Sequence, residues 1–285
     1  MHRSRLYLLS ATLLLTALHA SLTAAQTPST STPDAPAQTS VATNAPLDPK
    51  LPTVFIVGDS TARNQADLGW GDHFAHYFDT TRINVANRAH AGRSSRTFIN
   101  EGSWDKVLAE IKPGDFVLLQ MGHNDGGDLG GAKPRGTLKG LGDQSQDITL
   151  PDGHHEIVHT YGWYMRKYIA DTRAKHATPI LLSTTIRNIW KDGPDGKPQI
   201  ERDMGYDTLI QQLAQDQHVP FVDMGTVEAD RLQALGPEKT APLFPIDHTH
   251  TSPEGAERNA ESVVIALRNA HSPLVAYLKP DTPSK

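Results

Sequence analysis

Short, continuous apolar runs alternate with longer amphipathic stretches along most of this chain. Val54-Phe55-Ile56-Val57 ends at Gly58, and Phe116-Val117-Leu118-Leu119 is launched by Pro113-Gly114-Asp115. Pro179-Ile180-Leu181-Leu182 and Val219-Pro220-Phe221-Val222 repeat the pattern, and Ile83 to Val85 is a weaker instance. A run with no polar alternate has no face to give to water, which suits strands covered on both sides, as in a parallel sheet. Between these runs, Trp104, Val107, Leu108 and Ile111 fall at helical spacing. So do Val158, Tyr161, Tyr164, Met165, Tyr168 and Ile169. Ser252-Pro253 reads as a capping residue followed by proline in the first turn of a last helix, which carries Val263, Val264 and Leu267. Strands alternating with helices predict a doubly wound α/β fold. In such sheets ligands sit outside the carboxyl ends of the strands, so the loops there are where chemistry is expected.

The N-terminus does not fit that pattern. Arg3 and Arg5 precede a mostly apolar run, Leu6 to Leu18, and small residues end at Thr23-Ala24-Ala25. This is the layout of a secretory leader, too short to span a bilayer, and it predicts an exported protein, periplasmic or extracellular. An uncleaved anchor is the alternative. From Gln26 to about Lys50 the chain is rich in Ser, Thr, Pro and Ala and nearly lacks large apolar residues, as expected of a linker. The expected organisation is therefore leader 1–25, linker 26–50 and one catalytic domain 51–285. The formal charge of −5 offers no basic face for nucleic acid. No other stretch could span a membrane. The sequence has no cysteine, which removes disulfides, thiolate metal sites and cysteine nucleophiles.

Four stretches carry residues suited to chemistry. The first apolar run leads directly into Gly58-Asp59-Ser60-Thr61. A serine there is placed to act as nucleophile, with its own N–H near a developing oxyanion; a helix cap is the alternative. No Gly-x-Ser-x-Gly elbow is present, so the α/β-hydrolase fold is not indicated. A serine needs a base and a group to orient that base. Asp247-His248-Thr249-His250 precedes the last helix, and on a compact turn Asp247 can reach Nδ1 of His250 and leave Nε2 free for Ser60. A metal held by Asp247, His248 and His250, or a surface loop with incidental histidines, are the alternatives. Oxyanion donors could come from Gly92 in Ala91-Gly92-Arg93-Ser94-Ser95 and from Asn124 in Gly122-His123-Asn124-Asp125. Each of these could also be an ordinary turn.

Taken in order, Gly-Asp-Ser60, Gly92, Gly-x-Asn124-Asp and Asp247-x-x-His250 resemble the SGNH, or GDSL, hydrolases across about Thr53 to Ala270. The resemblance implies a three-layer α/β/α, flavodoxin-like sandwich with a parallel sheet of about five strands. It implies Ser60 as nucleophile, His250 as base and Asp247 as its orienter, with an oxyanion hole from Ser60, Gly92 and Asn124. Narrower stretches, Gly92-Arg-Ser-Ser-Arg-Thr-Phe98, Gly122-His-Asn-Asp-Gly-Gly127, Asp247-His-Thr-His-Thr-Ser-Pro253, Tyr161-Gly-Trp-Tyr164 and Arg187-Asn-Ile-Trp190, are similar to rhamnogalacturonan acetylesterases. Those enzymes remove acetyl groups from the pectin backbone; acetylxylan esterases and lipolytic esterases or thioesterases share the fold.

The implied partner is an acetylated polysaccharide or oligosaccharide, and the resemblance implies neither cofactor nor metal. Arg93, Arg96 and Arg187 could pair with substrate carboxylates or with acids of the protein itself. Trp163 and Trp190 could stack on sugar rings or pack internally. Asp59 and Asp125 are expected to cap or fix loops.

Overall fold

The apolar runs fold as strands of one parallel sheet. The computed structural model describes residues 46–280, which lie in one unit of the chain, residues 39–285. The expected leader and most of the expected linker lie outside the described residues.

In chain order the described strands are β1 (Thr53–Gly58), β2 (Asn84–Asn87), β3 (Phe116–Gln120), β4 (Ser145–Thr149), β5 (His155–His159), β6 (Thr178–Leu182), β7 (Trp190–Asp192), β8 (Pro198–Ile200) and β9 (Phe221–Val222). The α-helices are α1 (Ser95–Asn100), α2 (Ser103–Glu110), α3 (Tyr161–Ala174), α4 (Asp207–Asp216), α5 (Met224–Leu235), α6 (Pro237–Thr240) and α7 (Pro253–Asn269). The central sheet has five strands in the order β2-β1-β3-β6-β9, all parallel.

Strand side chains alternate between two cores, as a period of two requires. Val54, Ile56, Leu118, Ile180, Leu182 and Val222 face Val263, Val264 and Leu267 of α7. Phe55, Val57, Val117, Leu119 and Leu181 face Phe98 of α1, Trp104 and Val107 of α2, Met165 and Tyr168 of α3 and Leu213 of α4. Helices on both faces of a parallel sheet make the expected three-layer α/β/α sandwich. No helix among the described residues is long and apolar enough to cross a membrane.

Three details depart from the sequence expectation. Val158 belongs to β5 of an antiparallel hairpin with β4, and the helix starts only at Tyr161, where the Thr160 side chain accepts a bond from the Trp163 N–H at 3.1 Å. Strand β9 is shorter than its apolar run, Phe221–Val222 alone. The packed domain also starts before Leu51. Leu47 packs on the α1–α4 core, and Asp48 exchanges two hydrogen bonds with Asn84, its N–H to Oδ1 at 3.0 Å and its carbonyl from Nδ2 at 2.9 Å.

The strand order turns around at β1. The chain steps outward from β1 to β2 on one side, and the later strands fill the other. The crevice at the carboxyl ends of β1 and β3 is therefore the switch point at which this architecture places ligands.

Candidate active site

Ser60 lies two residues past the end of β1, in a turn fixed from several directions. The buried Asp59 carboxylate accepts from both the N–H and the hydroxyl of Thr61 at 2.9 Å. The N–H groups of Ala62 and Arg63 close back onto the Asp59 carbonyl at 3.2 and 3.1 Å. Gln120 Oε1, at the end of β3, accepts from Trp70 Nε1 at 2.9 Å and from the Thr61 hydroxyl at 3.3 Å. Asp59 is thus a loop-fixing residue, as expected.

The loop before α7 brings the partner groups. Asp247 Oδ1 accepts from the N–H groups of Thr249 and His250 at 2.7 and 2.8 Å, which curls the segment into a tight turn. Its other oxygen, Oδ2, lies 2.7 Å from His250 Nδ1, and His250 Nε2 lies 3.0 Å from Ser60 Oγ. An ionised carboxylate can only accept, so Nδ1 carries the imidazole proton and Nε2 is left to accept from the serine hydroxyl. Burial pushes the Asp247 carboxyl up, but the bonds from the His250 ring and from the two backbone N–H groups outweigh it and hold the carboxyl down at about 2. The turn is anchored downstream, where Thr251 donates to the Leu68 carbonyl at 3.0 Å and Ser252 caps α7. In this geometry both His250 nitrogens are engaged, and His248 turns Nδ1 to the Thr249 hydroxyl at 2.7 Å.

Two further loops complete a cleft of about 600 Å³ that holds Ser60, Gly92, Asn124 and His250 in one lining. Gly92 has φ of +79°, a left-handed conformation that glycine adopts without strain. Neither the Ser60 N–H nor the Gly92 N–H donates to a backbone carbonyl among the described residues. Asn124 spends one amide hydrogen on the Arg93 carbonyl at 2.9 Å, which orients the amide and leaves the other hydrogen for a ligand. Asp125 ties the Asn124 loop to the Gly92 loop through bonds from the Ser95 N–H, at 3.1 Å, and from the Ser95 hydroxyl. Burial raises its carboxyl to about 7 against the lowering effect of those bonds.

The expected sugar-binding residues divide. Arg187 lines the cleft. Arg93 instead pairs with Glu101 at 2.7 Å and donates to the Ala91 carbonyl at 2.9 Å, outside the lining. Arg96 is buried against Glu156 and the carbonyls of Leu129 and Gly136. Trp163 stacks on His159 at 3.9 Å, and Trp190 donates to Asn188 and packs against the small core that holds Ile186 and Ile200. Neither tryptophan is in the cleft lining: Trp163, on α3, meets His159, and Trp190, on the β7–β8 hairpin, meets Asn188. Three lining residues, Asn64, Arg135 and Ile246, were not marked by the sequence pattern. Arg135 sits in a loop closed by bonds from its own N–H and that of Gly136 to the Asp128 carbonyl, at 3.0 and 2.8 Å. No motif announces that closure.

A model of the GDSL-like lipase/acylhydrolase family matches residues 56–258, from within β1 into α7. The chain belongs to that family. The fold and the site loops described above fall almost wholly inside the match, and this GDSL-family chain is a hydrolase of esters.

It is 33% identical over 215 residues to a rhamnogalacturonan acetylesterase of Emericella nidulans, covering 75% of this chain and 84% of that one. The crystal structure of the protein YxiM of Bacillus subtilis superposes with a TM-score of 0.62 at 26% identity, over 78% of this chain and 58% of that longer one. The crystal structure of Axe2, an acetylxylan esterase of Geobacillus stearothermophilus, superposes at 0.50 and 18% identity, over 76% and 94% of the two chains. This last likeness speaks for the fold alone.

Proposed function

We propose that this GDSL-family chain is an exported serine esterase that removes acetyl groups from the rhamnogalacturonan backbone of pectin. The observation that carries the reading is the unbroken chain from Ser60 Oγ to His250 Nε2 and from His250 Nδ1 to Asp247, at 3.0 and 2.7 Å, in the cleft that also holds Gly92 and Asn124. The kinship with a protein named rhamnogalacturonan acetylesterase supports the substrate.

His250 Nε2 takes the Ser60 proton as Oγ bonds to the acetyl carbonyl carbon. The carbonyl oxygen becomes an oxyanion held by the N–H groups of Ser60 and Gly92 and the free amide hydrogen of Asn124. The bond from the acetyl carbon to the sugar oxygen then breaks, and that oxygen takes the proton from His250. Water repeats the sequence on acetyl-Ser60. It gives a proton to His250, its oxygen bonds to the acetyl carbon, and Ser60 leaves with that proton as acetate is released. Asp247, already ionised, stabilises the imidazolium in both halves. No cofactor enters the scheme.

Residues 1–25 act as an export leader and the following Ser/Thr/Pro-rich segment as a linker, so the working enzyme is the domain that begins near Pro46. Acetate release from acetylated rhamnogalacturonan, with acetylated xylan alongside and a Ser60→Ala control, tests the proposal. Release from the pectin fraction that the substitution abolishes is expected. Release from xylan alone would discard the pectin assignment, and release undiminished in Ser60→Ala would discard the triad.

A further inference from the structure

The protein carries a formal charge of −5, yet its cleft lining contains two guanidinium groups and no carboxylate. These are Arg135 and Arg187, on two different loops beside Ser60, Asn124 and His250. Other arginines of the domain are neutralised: Arg88 by Glu110, Arg96 by Glu156, Arg202 by Asp230 and Arg258 by Glu254. Arg135 and Arg187 have no acidic partner among the described residues. Each makes one long contact, Arg135 to the Gly92 carbonyl at 3.5 Å and Arg187 to the His123 carbonyl at 3.4 Å, near the limit of a hydrogen bond. The Arg187 Nε is buried with no acceptor, so its guanidinium is not fully satisfied by the protein. The one carboxylate of the triad turn, Asp247, is already occupied by His250 and two backbone N–H groups.

We infer that Arg135 and Arg187 form a carboxylate subsite, so that the cleft selects an anionic, uronate-bearing saccharide at the acylated sugar or its neighbour. The inference deepens the esterase reading of the same cleft and rests on it for the substrate's identity. A planar guanidinium presents paired donors that match a carboxylate, and a half-buried setting strengthens the match relative to open water. A neutral sugar supplies no charge to offset two cations, so discrimination follows from their pairing and not from cleft shape.

The test needs no catalysis. Binding of a galacturonate oligosaccharide and of its methyl-esterified counterpart is measured by calorimetry on the Ser60→Ala protein, then with Arg135→Gln, Arg187→Gln or both added. Arg258→Gln, which removes an arginine away from the cleft, controls for general charge. The parent is expected to prefer the free carboxylate by about tenfold or more, the scale of one charge-assisted contact. Each cleft substitution should erode that preference, and the pair should abolish it while affinity for the methyl ester falls far less. Arg258→Gln should keep the preference, and added salt should weaken it. Equal affinity for the two forms in the parent, or a preference that survives the double substitution, would overturn the inference. Acetate release bears on the esterase reading separately, so the failure of one is not mistaken for the failure of the other.

Discussion

The carboxylate of Asp125 accepts the Ser95 N–H at 3.1 Å and the Ser95 hydroxyl as well, which joins the loop after β3 to the loop after β2. These are the loops that carry Asn124 and Gly92. Their relative position therefore depends on a buried side chain that is not part of the cleft lining. Asp125→Ala is expected to lower kcat by about tenfold to a hundredfold by misplacing Gly92 and Asn124, the proposed oxyanion donors, the scale on which small misplacements act. It should lower the melting temperature too. Steady-state kinetics beside a melting curve checks this, and an unchanged kcat in a folded variant would separate Asp125 from the site.

Asn124→Ala removes one of the proposed oxyanion donors while leaving Ser60 and His250 in place. A fall in kcat of roughly 10²–10³ is expected, with KM little changed, because that donor acts in the transition state. A short aryl acetate is a sufficient substrate for the measurement. A change confined to KM would place Asn124 in ground-state binding instead.

Asp247 is held at about 2, so it remains ionised at every pH above about 4 and no acid limb of the activity profile in that range belongs to it. Its lowered value contributes stability above the unfolded carboxyl range, lost only as pH falls toward 2. Asp247→Asn keeps the shape but loses the tautomer control, and kcat should fall by roughly 10³–10⁴. A loss below tenfold would mean that His250 is oriented by something else.

Glu228 of α5 is buried, and burial raises its carboxyl to about 8 against the lowering effect of the bond from the Ile186 N–H. Its folded value lies above its unfolded one. It therefore costs nothing at acid pH, and stability is lost as pH rises from about 4.5 through about 8. Glu228→Gln keeps the acceptor for Ile186 and removes the titration. At pH 9 the variant should melt roughly 2–8 °C above the parent, as about 1–2 kcal/mol would give in a domain of this size. The gap should close toward pH 5. A gap independent of pH would locate the effect elsewhere.

What the sequence made legible follows from how local each signal is. β1 and β3 were readable because strands covered on both faces are continuous apolar runs. The start of α7 was readable because Ser252 and Pro253 cap it through contacts within one turn. Asp247 and His250 were readable as a pair because they lie three positions apart on a single turn. Helices α4 and α5 were not marked, and β4, with four of its five residues exposed, has no apolar pattern to detect. The directions of Arg93 and the two tryptophans depended on partners such as Glu101 and His159, which only the fold supplies. Arg135 belongs to the same class: its loop reaches the cleft through Asp128, and nothing adjacent in the chain signals that.

The most direct measurement of the central claim is covalent labelling of the intact protein with a fluorophosphonate, read by peptide mass spectrometry. One phosphonyl adduct on the peptide containing Ser60 is expected, absent in Ser60→Ala and formed far more slowly in His250→Ala. A label on a different residue, or ester hydrolysis that persists in Ser60→Ala, would contradict the account.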